Sequence, residues 1–371
     1  MAEKPIRILH VVGRMDRGGT EALLMSLLRK LNRIEIIFDF VEQTQDICDY
    51  DEEILALGSK IFRCPPLSIR NIGQYAKWWK CFLSEHPEYY IIHGHSRGSA
   101  PIYLKVAKEL GRRTIAHCHN NSNGKGLHAV KRYIWQFPLR YIPEFCFACS
   151  KDSGYSQFGK RKFQVILNGI ETEKYTWNSS TREKYRKQLE LENNFVIGNV
   201  ARFEPQKNHE FLIDIFAAIK KIEPTAKLML VGRGTREEMI RHKIHNLGLD
   251  KDVIFMGLRS DVNNLMQAMD VFLLPSHFEG LGIVNIEAQA AGLQCFVSEK
   301  VVPKEIEVTE LVHYISLQES AVYWAKQIVH CKQDMKKRRN TTDDIIKSGF
   351  DIESTKNSLI NFYMSLMDGG K

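Results

Sequence analysis

Residues 271–292 read VFLLPSHFEGLGIVNIEAQAAG and contain the most informative pattern of the chain. The apolar run Val271–Leu274 predicts a buried strand, and a Pro-Ser pair follows it as a stop signal. Apolar residues then recur at helical spacing from Ile283, until Gly292 offers a C-terminal stop. A strand that turns directly into a helix is the repeating unit of α/β folds.

Two carboxylates frame this turn, because Glu279 lies in it and Glu287 lies inside the predicted helix. Gly280 and Gly282 allow an unusual backbone path between them. Free N–H groups at a helix start suit a phosphate, and carboxylates suit the hydroxyl groups on either side of it. The segment therefore predicts a binding site for a sugar nucleotide.

Short apolar strands alternate with amphipathic helices on both sides of this segment, which predicts parallel sheets with helices on both faces. The predicted strands of a first series are Ile6–Val12, 36–41, 90–93, 114–117 and 145–149. Those of a second series are 195–201, 227–231, 253–256 and Val271–Leu274. The first strand leads into a leucine-rich helix, for which Thr20 is the expected N-cap.

The weakly apolar, charged segment 171–194 separates the two series. We therefore expect one doubly wound domain over residues 1–170, a second over 171–350 and a terminal helix over 351–371. A chain of 371 residues with 44% hydrophobic and 26% charged residues fits an ordinary globular protein of two domains.

The sequence also gives an expectation for the cellular location. No apolar stretch approaches the roughly 18 residues of a membrane-spanning helix, and Arg7 interrupts the first apolar run, so no signal peptide is expected. The cytoplasm follows as the expected location. Eight cysteines do not suggest a disulfide framework, and we expect Cys146 and Cys149 to be buried strand residues.

The net charge of +8 is concentrated between residues 121 and 163, where eight basic and two acidic side chains give +6. The same region carries aromatic residues, namely Tyr133, Trp135, Phe137, Tyr141 and Phe145. Two interpretations stay open: a surface for anionic lipid or a lipid diphosphate, and a helix whose aromatic side chains face the core. Nucleic-acid binding is not expected, because no recognisable motif accompanies the charge.

Two further loops follow predicted strands. Loop 13–21 carries glycines that let N–H groups approach a phosphate, although a plain strand-to-helix turn remains the alternative. In loop 201–208, Arg202 and Lys207 can converge on a diphosphate, whose charge requires two cations.

Together these loops resemble the glycosyltransferases of the GT-B fold, family 4. The resemblance rests on loop 13–21, segments 117–120 and 167–171, the Arg202 and Lys207 pair, segments 231–234 and 256–262, and Glu279 and Glu287, which are separated by seven residues. The segment from Glu287 to Leu293 looks most like bacterial capsule and exopolysaccharide enzymes. The resemblance implies two Rossmann-like domains that face each other across a cleft, with the C-terminal helix returning to the first domain.

Residue roles follow from this resemblance. In the second domain, Arg202 and Lys207 would bind the donor diphosphate and stabilise the leaving charge. Glu287 would accept hydrogen bonds from ribose hydroxyls, and Glu279 would contact the donor sugar. Backbone N–H groups of Gly280, Leu281 and Gly282 would seat the sugar and phosphate, and Leu258 and Arg259 would lie near the base.

In the first domain, the resemblance places Gly18 and Gly19 over the diphosphate. It places His119 near the anomeric centre, where it would hydrogen-bond the donor sugar or share charge in the transition state. His119 is favoured over His117 because Asn120 follows it. The alternative is a structural histidine.

The implied activity is retaining transfer from a nucleotide sugar, UDP-linked, to a glycan or polyprenyl-diphosphate acceptor at the inner membrane face. No cofactor and no essential metal are expected, since Asp49 and Asp51 read as an acidic helix start rather than a metal motif. A non-catalytic binding component of a polysaccharide-assembly complex and a sugar-nucleotide epimerase of related architecture are the alternatives.

Overall fold

The computed structural model describes residues 5–119, 127–332 and 338–368. These residues form two compact units, the first comprising the chain up to residue 169 together with residues from 352 onward, and the second comprising residues 170–351.

The first unit is a parallel sheet covered by helices. Its strands are β1 (Ile6–Val12), β2 (Ile36–Glu42), β3 (Ile61–Arg63), β4 (Ile91–Gly94), β5 (Arg113–Cys118), β6 (Phe145–Ala148) and β7 (Gln164–Val165). Its helices are α1 (Gly19–Lys30), α2 (Asp51–Ala56), α3 (Ile72–Glu85), α4 (Ala100–Glu109), α5 (Leu127–Gln136), α6 (Lys151–Phe158) and the last helix of the chain, α15 (Ile352–Asp368), with a 3-10 turn at Phe137–Arg140.

The strand order in this sheet is β3-β2-β1-β4-β5-β6-β7. Alternate residues of β1 enter two separate cores, since Ile8 packs in one buried cluster and Leu9 in another. The sheet is therefore buried on both faces, which is why its strands read as continuous apolar runs. Tyr363 and Leu366 of α15 belong to the Ile8 cluster, so the terminal helix packs on the first unit as expected.

The second unit repeats this architecture. Its strands are β8 (Phe195–Val200), β9 (Ala226–Val231), β10 (Val253–Gly257), β11 (Val271–Leu274), β12 (Gln294–Ser298) and β13 (Val312–Ile315). Its helices are α7 (Thr172–Tyr175), α8 (Ser179–Gln188), α9 (His209–Ile222), α10 (Glu237–Asn246), α11 (Val262–Ala268), α12 (Val284–Ala290), α13 (Ala321–His330) and α14 (Thr342–Lys347), with 3-10 turns at Pro205–Lys207 and Lys304–Ile306. The strand order is β10-β9-β8-β11-β12-β13, again all parallel.

One local prediction is wrong. Gly18, not Thr20, is the N-cap of α1, and the cap makes no side-chain hydrogen bond. The extended conformation of Gly18 (φ −136°, ψ 171°) starts the helix earlier and places Thr20 inside its first turn. Among the described residues, no helix is both long and apolar enough to cross a membrane.

Candidate functional site

Two loops of the second unit leave its sheet side by side. Strands β8 and β11 are neighbours, with β9 and β10 on one side of them and β12 and β13 on the other. The strand order reverses at this point: one half of the sheet is built outward to one side and the other half to the opposite side. Open α/β sheets bind their ligands at the carboxyl ends of the strands beside such a reversal. Loop 201–208 follows β8 and loop 275–283 follows β11.

A buried ion pair joins these two loops. Lys207 Nζ lies 2.6 Å from Glu279 Oε1, and the Ser276 hydroxyl donates to the same oxygen at 2.7 Å. The side chains of Lys207 and Glu279 are 15% and 4% exposed, so their charges have little access to water. Lys207 and Glu279, which were both predicted as site residues, are therefore in direct contact.

Backbone and amide groups hold the loops in register around this pair. The His277 N–H donates to the Gln206 carbonyl at 2.8 Å, and Gln206 Nε2 donates to the Phe278 carbonyl at 2.8 Å. Asn208 Nδ2 donates to the Pro275 carbonyl at 3.0 Å. The two loops are therefore fixed relative to each other before any ligand binds.

Glycines are required at two places beside the pair. Gly232, after β9, has φ +137°, and a Cβ there would lie 2.1 Å from the Ala201 carbonyl oxygen. Gly282 has φ +77° and leads into α12, where the Asn285 amide donates to its carbonyl at 3.0 Å. A side chain at Gly232 would therefore displace the backbone of loop 201–208, and one at Gly282 would force a backbone conformation that only glycine adopts readily.

Glu287 lies in the first turn of α12 and is partly buried. Burial raises its pKa to about 7, and the Tyr175 side chain opposes this by lowering it. The carboxyl is thus poised between its two protonation states near neutral pH. In the preceding turn, Leu281 is buried and follows Gly280.

The remaining predicted residues of this unit are exposed. Leu258 and Arg259 follow β10, and Arg259 makes a two-pronged contact with Asp261, at 2.7 and 2.8 Å. Arg202 is exposed just beyond β8. These side chains are accessible to a ligand.

The first unit has an equivalent reversal between β1 and β4. The loop after β1 ends at Gly18, and α1 begins at Gly19, so the N–H groups of the first turn emerge at this edge of the sheet. Residue 95 follows β4 at the same edge, where the His95 N–H donates to the Val11 carbonyl at 2.8 Å.

Five histidines cluster at this edge: His10 of β1, His93 of β4, His117 of β5, and His95 and His119 just beyond β4 and β5. His10 Nδ1 lies 2.9 Å from His95 Nε2, and His95 Nδ1 lies 2.8 Å from His119 Nε2. Separately, His93 Nε2 lies 3.2 Å from His117 Nδ1.

The cluster is uncharged at neutral pH. Burial lowers the pKa of His10 and of His119 to about 3. For His119, the Asn168 side chain acts in the opposite direction and the Arg97 charge adds to the lowering. Burial followed by the neighbouring imidazoles holds the pKa values of His93, His95 and His117 well below the ordinary value.

Three groups of described residues have side-chain atoms close enough to share a metal ion. Two consist of histidines of this cluster, and the third is Glu42, Cys48 and Asp51. Asp51 opens α2, whose first turn is acidic as predicted, and it pairs with Arg63. Asp49 accepts from the Arg17 N–H at 3.1 Å and belongs to none of these groups.

The basic, aromatic region is partly exposed. Residues 121–126 lie outside the described part of the chain. Beyond them Ile134 is 66% and Tyr141 is 69% exposed, and Tyr133, Trp135 and Phe137 are about 40% exposed (42%, 38% and 41%). Arg140 lies over the rings of Tyr133 and Phe137, at 5.2 and 5.1 Å from their centroids. Among these aromatic side chains, Tyr141 is mostly exposed, whereas Phe145 packs against the core. Cys146 and Cys149 are buried, as predicted.

Sequence reasoning missed Ser276 and three members of the cluster, His10, His93 and His95. A signal for the histidines exists, because Ile91-x-His93-x-His95 and Ile115-x-His117-x-His119 place isoleucine and histidine on one face of adjacent strands.

Comparisons with known proteins agree with this architecture. Residues 181–347 match the family described as Glycosyl transferases group 1. The protein named putative glycosyltransferase EpsF, from Bacillus subtilis (strain 168), is 30% identical over 370 residues, which cover 96% of both chains. The UDP-Gal:alpha-D-GlcNAc-diphosphoundecaprenol alpha-1,3-galactosyltransferase of Escherichia coli is 27% identical over 311 residues, 79% of both chains.

The fold also matches a solved structure. The crystal structure of HepE from Anabaena, in complex with UDP and glucose, has a TM-score of 0.80 and 21% identity. The match covers 97% of this chain and 100% of HepE. The predicted fold of two doubly wound, Rossmann-like units is thereby confirmed.

Proposed function

Because the chain belongs to the glycosyl transferases group 1 and has the GT-B fold, we propose that it transfers a sugar from a UDP-sugar to a glycan or polyprenyl-diphosphate-linked acceptor, with retention at the anomeric carbon. The observation that carries this proposal is the buried contact of Lys207 with Glu279 at the strand-order reversal of the second sheet.

Lys207 and Arg202 are assigned to the donor diphosphate. Lys207 is held in place by Glu279, while Arg202 is exposed and accessible to a ligand. Two cations suit the two charges of a diphosphate, and they also stabilise the additional charge that develops as the glycosidic bond breaks.

Glu279 is assigned to the donor sugar. Its contacts with Lys207 and Ser276 both use Oε1, and we assign Oε2 to a sugar hydroxyl. The N–H groups of Gly280, Leu281 and Gly282 would seat the sugar and phosphate, since the positive φ of Gly282 turns the chain into α12 there.

Glu287 is assigned to the ribose and the segment at Leu258 and Arg259 to the base. A uracil base is proposed because HepE, which shares the fold, was crystallised with UDP. Gly18 and Gly19 would add N–H donors for the diphosphate from the start of α1.

Retention is proposed without an enzyme nucleophile. Glu279 is the carboxylate assigned to the sugar, and it is already bound to a lysine and a hydroxyl. The leaving phosphate would instead assist removal of the acceptor proton on the same face. His119 would hydrogen-bond the sugar, and no metal would be required.

The acceptor is proposed to be a membrane-linked glycan in cell-surface polysaccharide synthesis, which places the enzyme in the cytoplasm at the inner membrane face. The Escherichia coli relative is named for transfer to a sugar on diphosphoundecaprenol. The exposed aromatic side chains and Arg140 on residues 130–141 would contact lipid and its anionic head groups.

A donor screen tests this function. Thermal stabilisation and slow hydrolysis should be strongest with UDP-sugars in a panel that includes GDP- and ADP-sugars. Arg202→Ala should weaken the response, whereas Lys221→Ala, an exposed cation near the end of α9, should not. With an acceptor, the new linkage should keep the donor's anomeric configuration by NMR. An inverted product would contradict retention, and binding without transfer to any acceptor would favour a non-catalytic component.

A further inference from the structure

The rings of His10, His95 and His119 lie edge to edge. The His10 and His95 centroids are 5.2 Å apart with planes 19° from parallel, and the His95 and His119 centroids are 5.1 Å apart with planes at 26°. With nitrogen separations of 2.9 and 2.8 Å, both hydrogen bonds run close to the planes of the rings. This geometry fits a chain of N–H···N hydrogen bonds better than a metal centre, where the nitrogens would point at one common atom.

A chain of neutral imidazoles has a direction. A neutral imidazole carries one N–H donor and one acceptor nitrogen, so each hydrogen bond fixes the tautomer of the next ring. If His10 Nδ1–H donates to His95, then His95 Nδ1–H donates to His119, and His119 is left with an Nδ1–H. In the opposite direction, His119 is left with an acceptor at Nδ1.

The two ends of the chain distinguish these directions. His10 Nε2 is buried without a hydrogen-bond partner, next to the ring of Phe38 at 4.2 Å between centroids. At the other end, His119 Nδ1 and Asn168 Oδ1 are both buried and unpartnered, and the Asn168 side chain is close enough to influence His119.

The first direction leaves an unpaired acceptor on His10 and gives the Asn168 oxygen a nearby N–H. The second would bury an unpaired N–H on His10 and turn two acceptors toward each other. Unpaired buried N–H groups are rarer than unpaired acceptors, and the first direction is therefore favoured.

We propose that His10 and His95 are positioning residues that fix His119 as a neutral Nδ1–H donor, directed at a sugar hydroxyl when substrate binds and at Asn168 otherwise. This inference rests on the proposed role of His119. It excludes general-base action at Nδ1, and it makes a residue inside β1 a determinant of how the sugar is bound.

Two-bond proton–nitrogen NMR on the full chain with ¹⁵N-labelled histidine tests the direction, because protonated and unprotonated ring nitrogens resonate far apart. His10, His95 and His119, assigned by single substitutions among the 13 histidines, should all be Nδ1–H tautomers. Histidine in water prefers Nε2–H, so this result would be distinctive. An Nε2–H tautomer at His119, or a spectrum of the cluster that changes when EDTA is added, would overturn the proposal.

Two matched variants test the action through His95. His10→Phe keeps a ring but removes the donor, so His95 and His119 should shift toward Nε2–H and kcat/KM should fall about two- to tenfold. His10→Asn keeps an N–H that can donate to His95, and it should restore both. If neither variant folds, the wild-type spectrum still decides the direction.

A further comparison separates this inference from the proposed function. If His119 has the Nδ1–H tautomer but His119→Phe turns over normally, the role at the sugar is wrong although the chain exists. If His119→Phe is inactive but the tautomer is Nε2–H, the function stands and the inferred direction is wrong.

Discussion

Replacing Lys207 by methionine should separate the charge of the Lys207–Glu279 pair from its volume. The substitution leaves the Glu279 carboxylate, whose side chain is 4% exposed, with the Ser276 hydroxyl as its hydrogen-bond partner among the described residues. It should therefore both destabilise the second unit and remove one of the two cations proposed for the diphosphate.

The size of the loss follows from burial. Removing one partner of a buried ion pair costs about 3–5 kcal/mol, because the other charge stays unpaired. Lys207 is 15% exposed and Glu279 keeps one hydrogen bond, so we expect about 2–3 kcal/mol. For a unit spanning residues 170–351, each kcal/mol lowers Tm by about 2–4 °C, which gives a decrease of about 4–12 °C.

Differential scanning calorimetry with and without UDP measures both effects. Lys220→Met is the matched control, because its partner Asp252 keeps a second lysine, Lys227, at 2.9 Å. Because Lys220 Nζ also donates to the Pro224 and Ala226 carbonyls, we expect the control to lose about 1–2 kcal/mol. It should nevertheless keep the full stabilisation by UDP. At 100 times Kd that stabilisation is about 2.7 kcal/mol, and Lys207→Met should lose most of it.

The double variant Lys207→Met with Glu279→Gln completes the test. Removing both charges should recover part of the stability that Lys207→Met loses, since no unpaired charge then remains. The reasoning is refuted if Lys207→Met melts within about 1 °C of the wild type and keeps its response to UDP.

Three further predictions concern pH, metal and lipid. Affinity for UDP-glucose should rise roughly tenfold from pH 6 to pH 8. Burial raises the pKa of Glu287 to about 7, so the carboxyl is neutral below that pH and ionised above it, and the ionised form accepts better from ribose hydroxyls. A Glu287→Gln variant with the same pH profile would show that another group titrates. Turnover should survive dialysis against EDTA, and a strict need for a divalent ion would direct attention to Glu42, Cys48 and Asp51 and to the histidine cluster. Vesicles containing anionic lipid should bind the protein better than neutral vesicles do. Ile134→Ser should weaken this binding more than Ile69→Ser, a control at a 92% exposed residue of the same unit. Equally poor binding to both kinds of vesicle would exclude a membrane surface at residues 130–141.

Strand positions were predictable because both sheets are buried on two faces. A strand such as Val271–Leu274 must then be apolar throughout, and that run is visible in the sequence. The start of α1 was less predictable, because Gly18 caps it through backbone conformation alone and leaves no side-chain signal like that of a serine or threonine.

Contacts between distant strands could not be predicted in the same way. His10 faces His93 because β1 pairs with β4 in one particular register, across 83 positions of sequence. Lys207 and Glu279 could likewise be picked out of the sequence as two separate site residues. Their ion pair could not be predicted, because it depends on β8 and β11 being neighbours in the sheet. Periodicity specifies the face on which a side chain lies but not the partner opposite it.

The ion pair of the free protein also suggests how charge is handled during transfer. Breaking the bond from sugar to phosphate leaves positive charge on the sugar and negative charge on the phosphate. Lys207 is assigned to the phosphate and Glu279 to the sugar, so the pair presents an ammonium and a carboxylate to the two charges that separate. Both are fixed in advance, by each other and by Ser276, and groups that need no reorganisation stabilise a transition state more than a ground state.

It follows that Glu279→Gln should lower kcat more than it raises KM for the donor, because the amide can still bind a hydroxyl but cannot balance a developing cation. We expect a decrease in kcat of about 100-fold, comparable to the loss of one preorganised electrostatic contact in other enzymes. Steady-state kinetics with a saturating acceptor measure this. A variant whose KM rises while kcat is unchanged would show that Glu279 contributes equally to ground-state and transition-state binding, and the charge argument would then fail.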